Sequence, residues 1–233
     1  MPNLKQLKSE FKKLADKKQA EILAGFFKTG KGQYGEGDIF LGIKVPVQRI
    51  AVKKYENLSL ADLSELLNGK IHEHRLTALL ILAKQYEKAD SRGKKKIVDF
   101  YLKNTKNINN WDLVDLSCSH ILGDYLFDKP RKILYKLAKS KNLWEKRISI
   151  ISTLFFIRNN DFSDTFKIAE ILLRDKHDLI HKAVGWMLRE TGKRDAEILE
   201  NFLRKHCKIM PRVMLRYAIE KFSEEKRKYY LSK

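Results

Sequence analysis

Apolar positions along the chain recur at intervals of three and four, not two, which is the periodicity of one face of an α-helix. Leu4, Leu7, Phe11 and Leu14 form a first stripe, and Ala20, Leu23, Ala24 and Phe27 a second. A glycine-rich connector, Gly30 to Gly37, follows. Asp38 is placed to cap the next helix, expected to run through Pro46 to about Tyr55. Pro46 should kink that helix or split it into two short ones.

From Leu58 onward the pattern repeats: a helix, a short turn, and a second helix that opens on a polar or basic group. The second helices begin His72-Glu-His-Arg75, Asn109-Asn-Trp-Asp112, Trp144-Glu-Lys-Arg147, Leu179-Ile-His-Lys182 and Ile209-Met-Pro-Arg212. Their last positions lie 37, 35, 35 and 30 residues apart. An apolar run follows each start: Leu76 to Ala83, Leu113 to Leu122, Ile148 to Ile157, Ala183 to Leu188 and Val213 to Phe222. Two helices per repeat at this period predict an all-α, HEAT-like solenoid. No linker separates the repeats. The chain therefore reads as a single domain, residues 1–233, with an N-terminal helical cap over 1–57 and about five helical pairs over 58–222.

Charge changes this picture from scaffold to binding surface. Lys and Arg number 48 against 29 Asp and Glu, a formal net charge of +19, which calls for a polyanionic partner, nucleic acid before membrane. In a solenoid, equivalent repeat positions line up on one surface, usually the concave one. Arg75, Arg147, Lys182 and Arg212 are then expected to form a basic row at helix N-termini, where phosphate is already favoured. The second repeat interrupts the row with Trp111 and Asp112. Cys118 and Cys207 form no CxxC and imply no disulfide framework, which suits a reducing, cytoplasmic setting. No secretory h-region is seen, and the apolar runs are too short to span a bilayer, so no membrane partner is expected.

The interruption is the candidate site. Asn109 or Asn110 serves as helix N-cap, with acids in the first turn where the macrodipole favours them. Trp111 and Asp115 are four apart and share a face. Asp115 lies among Leu113, Val114 and Leu116, a setting in which a carboxylate needs a partner or a task. An indole beside a carboxylate can receive a flat cation. Asp112 reads as a helix-terminus acid. Trp186, after Gly185 on another second helix, is expected near the same height and can form the opposite wall of a cleft; Gly185 should admit a close neighbour.

Other motifs fail on context. Gly30-x-Gly32-x-x-Gly35 follows a helix and lacks a βαβ unit, so it reads as a mobile connector whose Lys28, Lys31 and Tyr34 can touch phosphates. His177 and His181 have helical zinc spacing, but no catalytic Glu or third ligand accompanies them; they read as surface or cap residues, as do His72 and His74. No metal site and no cofactor are expected. Ser119 and His120 are adjacent on a helix and point apart, which argues against a hydrolase dyad.

Trp111-Asp-Leu-Val-Asp115, Trp144-Glu-Lys-Arg147 and Lys182-Ala-Val-Gly-Trp186-Met-Leu-Arg-Glu190 resemble the AlkD family of DNA alkylation repair glycosylases, as does Asp38-Ile-Phe-Leu-Gly-Ile-Lys-Val-Pro46. The resemblance runs from about residue 20 to 222. It implies a HEAT-like solenoid holding duplex DNA in a basic groove and excising cationic N3- and N7-alkylated purines without strand cleavage. By position it makes Asp115 the catalytic carboxylate, with Trp111 and Trp186 framing the lesion's sugar-phosphate. Arg147 is a DNA contact beside the cleft, and Arg189 joins Arg75, Lys182 and Arg212 in the DNA-binding set. A family tyrosine appears here as Phe26 or Phe27. The expected state is a cytoplasmic monomer associated with the nucleoid through DNA. The rival readings are a non-catalytic HEAT-repeat protein recognising distorted or branched DNA, and a peptide-binding HEAT scaffold.

Overall fold

Short polar caps and long apolar stripes set the helix boundaries, and the computed structural model, which describes residues 2–233, follows them closely. The chain is all-α, with about 70% of it helical. Among the described residues the only extended pairing is an isolated parallel bridge between Ile39 and Ile71. The chain divides into two compact units, residues 1–117 and 118–233.

The first unit opens with α1 (Leu4–Lys13) and α2 (Lys17–Phe26), capped by the side chains of Asn3 and Asp16. α3 (Val45–Lys54) begins with Pro46 in its first turn instead of running through it, because a first-turn N–H has no intrahelical acceptor and proline's missing donor costs nothing there. Asp38 does not cap α3; it belongs to the preceding loop. α4 (Leu60–Asn68) has a Ser59/Asp62 capping box and packs on α5 (His72–Lys88). α5 is the centre of the unit. Residues 72 to 83 are all buried, polar ones included, and α3, α4, α6 (Ser91–Lys103) and α7 (Trp111–Asp115) pack against it.

α7 is five residues long, capped by Asn110. The continuous helix expected over Leu113 to Leu122 is broken: Ser117 Oγ donates to the Leu113 carbonyl at 2.5 Å, and residues Ser119–Gly123 adopt a π-helical turn. Side-chain hydroxyls that bond back to the preceding turn compete with the helix ladder.

The second unit continues with α8 (Asp124–Leu126), α9 (Lys132–Ala138), α10 (Leu143–Arg158), α11 (Ser163–Leu172), α12 (Asp178–Arg194), α13 (Ala196–His206), α14 (Arg212–Ala218) and α15 (Glu224–Leu231). α10 packs on α9, α11 and α12, and α12 on α13 and α14, so the helical pairs stack in chain order. Gly185 makes the packing of α12 on α14 possible: a Cβ there would lie 2.5 Å from Tyr217 Cβ and 2.6 Å from the Met214 carbonyl. Second helices thus begin at His72, Trp111, Leu143, Asp178 and Arg212, within three residues of the expected starts. No helix among the described residues is long and apolar enough to cross a membrane.

Candidate active site

Asp115 sits at the end of α7, half-buried, one turn after a half-buried Trp111. Trp111 is held by aromatic packing. Its ring stacks on Phe27 (centroids 5.1 Å, 16° between planes) and meets Phe26 edge-on at 5.8 Å. Phe27 is buried and stacks in turn on Phe40, whereas Phe26 is 61% exposed. Phe26 is therefore the aromatic that can face a ligand beside Trp111, and Phe27 is the platform beneath.

Below α7 lies a buried polar cluster. His72, 2% exposed, has Nδ1 3.1 Å from Asp38 Oδ2 and Nε2 2.8 Å from Asp112 Oδ2. Arg75 Nη2 is 2.6 Å from the same Asp38 oxygen, and Asn110 Nδ2 is 3.5 Å from it. Asp112 also accepts the Leu113 N–H at 2.8 Å. Burial alone would drive His72 toward the neutral ring, but its hydrogen bonds to Asp112 and Asp38 outweigh that and raise its pKa from 6.5 to about 9. Burial likewise pushes Asp38 up, yet His72 and Arg75 hold it below its ordinary value. Glu73, 1% exposed, accepts the backbone N–H groups of Leu41, Gly42 and Ile43 at 3.0, 2.8 and 3.2 Å. Gly42 has φ +88°, and a Cβ there would lie 2.2 Å from the Asp16 carbonyl. The Asp38–Pro46 segment is thus pinned by polar side chains from the first turn of α5.

His72 and His74 are not the surface or cap histidines the sequence suggested; both are buried, His74 at 6%. His74 has no anionic neighbour at its ring, and burial lowers its pKa to about 4. Asp112 is more than a terminal acid, since its side chain is a partner of His72. The signal for this cluster was present: four polar residues open a helix whose next stretch, Leu76 to Ala83, is apolar but for Thr77, and buried polar groups require partners.

Trp186 stands in the second unit, half-buried on α12, its Nε1 donating to Glu190 Oε1 at 3.1 Å. It lines a cleft of about 430 Å³ with Leu154, Ile157, Arg158, Lys193 and Arg194. Desolvation raises Glu190, but Lys193 and Arg189 outweigh it and keep the carboxylate ionised.

A protein-family model described as "DNA alkylation repair enzyme" matches residues 7–222. This chain belongs to that DNA alkylation repair enzyme family. Its fold matches a solved structure titled "Predicted DNA alkylation repair enzyme from Enterococcus faecalis" with a TM-score of 0.68 and 14% identity, over 90% of this chain and 97% of that one. At that identity the likeness speaks for the fold. No curated protein matches the sequence.

Within this family member the expected basic row divides. Arg75 and Arg147 are each 5% exposed: Arg75 pairs with Asp38, and Arg147 Nη1 donates to the Leu179 carbonyl at 2.6 Å. Both side chains are held in the interior, because a guanidinium at the start of a buried helix must find acceptors inside. Arg189 is tied to Glu190 and Glu220. Lys182 forms a surface pair with Asp178 at 2.6 Å, and Arg212 is exposed, its Nη2 bonded to the Leu231 carbonyl. Lys28 and Lys31 are exposed, while Gly35 is packed so tightly that a Cβ would lie 2.5 Å from the Phe27 carbonyl. His177 caps α12, and no metal-holding group of His, Cys, Asp and Glu occurs among the described residues.

Proposed function

We propose that the protein is a monofunctional DNA glycosylase that releases cationic N3- and N7-alkylated purines from duplex DNA by hydrolysis. The observation that carries this is Asp115: an acid at the end of a short, internally anchored helix, half-open to solvent, beside an indole fixed by stacking. An alkylated purine already bears positive charge. When its bond to C1′ breaks, the electron pair leaves with the base and neutralises it, and positive charge builds on the deoxyribose. A fixed carboxylate stabilises that charge and can orient the water that adds to C1′. The aromatic surfaces of Trp111, Phe26 and Trp186 suit a sugar-phosphate or cationic face. No lysine is assigned as a Schiff-base nucleophile, so the product is an abasic site in an uncut strand.

Lys182 and Arg212, with the general lysine surplus, supply phosphate contacts. The protein acts on the duplex as a monomer in the cytoplasm. The test is base release from duplex containing 7-methylguanine, in single turnover with saturating protein, for wild type, Asp115→Asn and Asp112→Asn. Asp115→Asn should lower the chemical rate on the order of 10²–10³-fold while DNA affinity holds. Wild-type protein that binds DNA but releases no base would select the non-catalytic DNA-binding reading instead.

A further inference from the structure

The buried cluster under α7 has a feature that hydrogen-bond chemistry decides. Both ring nitrogens of His72 face carboxylate oxygens, Asp38 at 3.1 Å and Asp112 at 2.8 Å. Ionised carboxylates only accept, so both nitrogens must donate, and only the imidazolium does that. The charge count agrees. Asp38 and Asp112 bring two negative charges, His72 and Arg75 two positive ones, and the group is neutral only with His72 protonated. Arg75 is the charge that opposes protonation of the ring. The other packed faces are the rings of Phe40 (4.5 Å) and Phe27 (4.9 Å); Glu73 is turned to the Leu41–Ile43 amides, and His74 lies against Phe11.

The imidazolium joins elements that are far apart in sequence: the loop at Asp38, the start of α5, and the start of α7 at Asp112. A helix of five residues does not hold its own geometry in water, so α7 depends on such anchors. Trp111 and Asp115 lie on α7, one residue before and three after Asp112, and the Trp111 platform, Phe27, touches the same ring.

Resting on the glycosylase reading, we infer that His72 is a positioning residue: its doubly hydrogen-bonded imidazolium clamps α7 and thereby sets Trp111 and Asp115 for the chemical step. The raised pKa accords with this, and it makes the clamp alkali-sensitive. With the proton gone, Asp112 or Asp38 loses its donor, and a buried net negative charge remains beneath α7.

Two sets of measurements test this. In the first, ¹⁵N-histidine spectra of the wild-type protein should show both His72 ring nitrogens protonated at about pH 8, and deprotonation only near pH 9. Amide exchange should show Leu113 and Val114 protected at neutral pH and exposed above that transition, in step with the ring. A ring that is neutral at about pH 8, or α7 amides indifferent to its titration, overturns the clamp whether or not the protein is an enzyme. In the second, single-turnover excision by wild type should fall as pH rises through about 9, and His72→Gln should lose that limb. The variant's rate at neutral pH should drop on the order of 10²-fold with DNA affinity nearly unchanged, the pattern of misplaced groups and not of lost binding. A variant with wild-type rate and an unaltered alkaline limb overturns the positioning role. Absence of base release by wild type, with the spectra as expected, defeats the glycosylase reading and leaves the clamp standing.

Discussion

The same imidazolium makes the fold's stability depend on pH with a definite sign. His72 moves from an ordinary 6.5 to about 9 in the folded protein. At 1.36 kcal/mol per pH unit, tighter proton binding by the folded state is worth about 3 kcal/mol. A raised folded pKa gives a contribution that is complete below about pH 6.5, declines as pH rises, and is gone above about 9. The measurement is urea unfolding of wild type and His72→Gln across that window. The variant should be the less stable at the acid end, because Asp38 and Asp112 keep their burial and lose a cation. The gap should close by about 3 kcal/mol toward alkaline pH, which is about 1 M in urea midpoint for a slope near 2–3 kcal/mol/M. Taking the difference between the two proteins cancels other titrating groups, including His74. Curves that stay parallel from about pH 6.5 to 9 would refute the charge assignment, since the proton would then be bound equally in both states.

Four further substitutions have definite expected outcomes. Gly185→Ala should cost about 1–3 kcal/mol by overpacking, seen as a lower thermal midpoint, because the added methyl meets the α14 backbone at Met214 and the Tyr217 Cβ. Arg75→Ala should destabilise by about 3–5 kcal/mol in urea by leaving Asp38 short of its buried cation, whereas Lys182→Glu should leave stability nearly unchanged and weaken binding to damaged and undamaged duplex alike. Glu73→Gln should cost about 1–3 kcal/mol, because an amide offers one acceptor oxygen where three backbone N–H groups converge, and fast proteolysis of the 38–44 loop would report the loss.

Helix starts were legible because their causes are local. Asn110, His177 and Asp195 cap the helices that follow them, and an apolar stripe announces what comes next. The period of the repeat was legible for the same reason. The break after α7 was not, since Leu113 to Leu122 has the same apolar pattern whether the helix continues or is interrupted by Ser117 bonding back to Leu113. The sequence alone offers a kink or a break at Pro46 because the effect of a proline depends on where the helix begins, and the start at Val45 is fixed by a loop pinned to Glu73, about thirty residues away. The buried cluster is wholly non-local. Asp38, His72 and Asp112 are separated by 34 and 40 positions, and nothing in the sequence near any of them specifies the others.

The basic row shows how a correct register can mislead about role. Arg75 and Arg147 open second helices as expected, but both lie at buried positions in the first turns of α5 and α10. A guanidinium there reaches Asp38 or the Leu179 carbonyl before it reaches solvent. Lys182 and Arg212 open helices whose first turns remain at the surface, so the same repeat position delivers an accessible cation. Repeat position therefore fixes where a cation enters the fold, and the burial of its helix's first turn fixes whether it meets protein or phosphate. With two row members internal, affinity for a duplex would, on the proposed reading, fall to the exposed lysines. Each phosphate contact they make lowers affinity as salt rises but carries no sequence information. On the proposed glycosylase reading, lesion preference then arises at Asp115 and the aromatic surfaces around it, so the charge state of the cluster beneath α7 should bear on the chemistry and not on the grip.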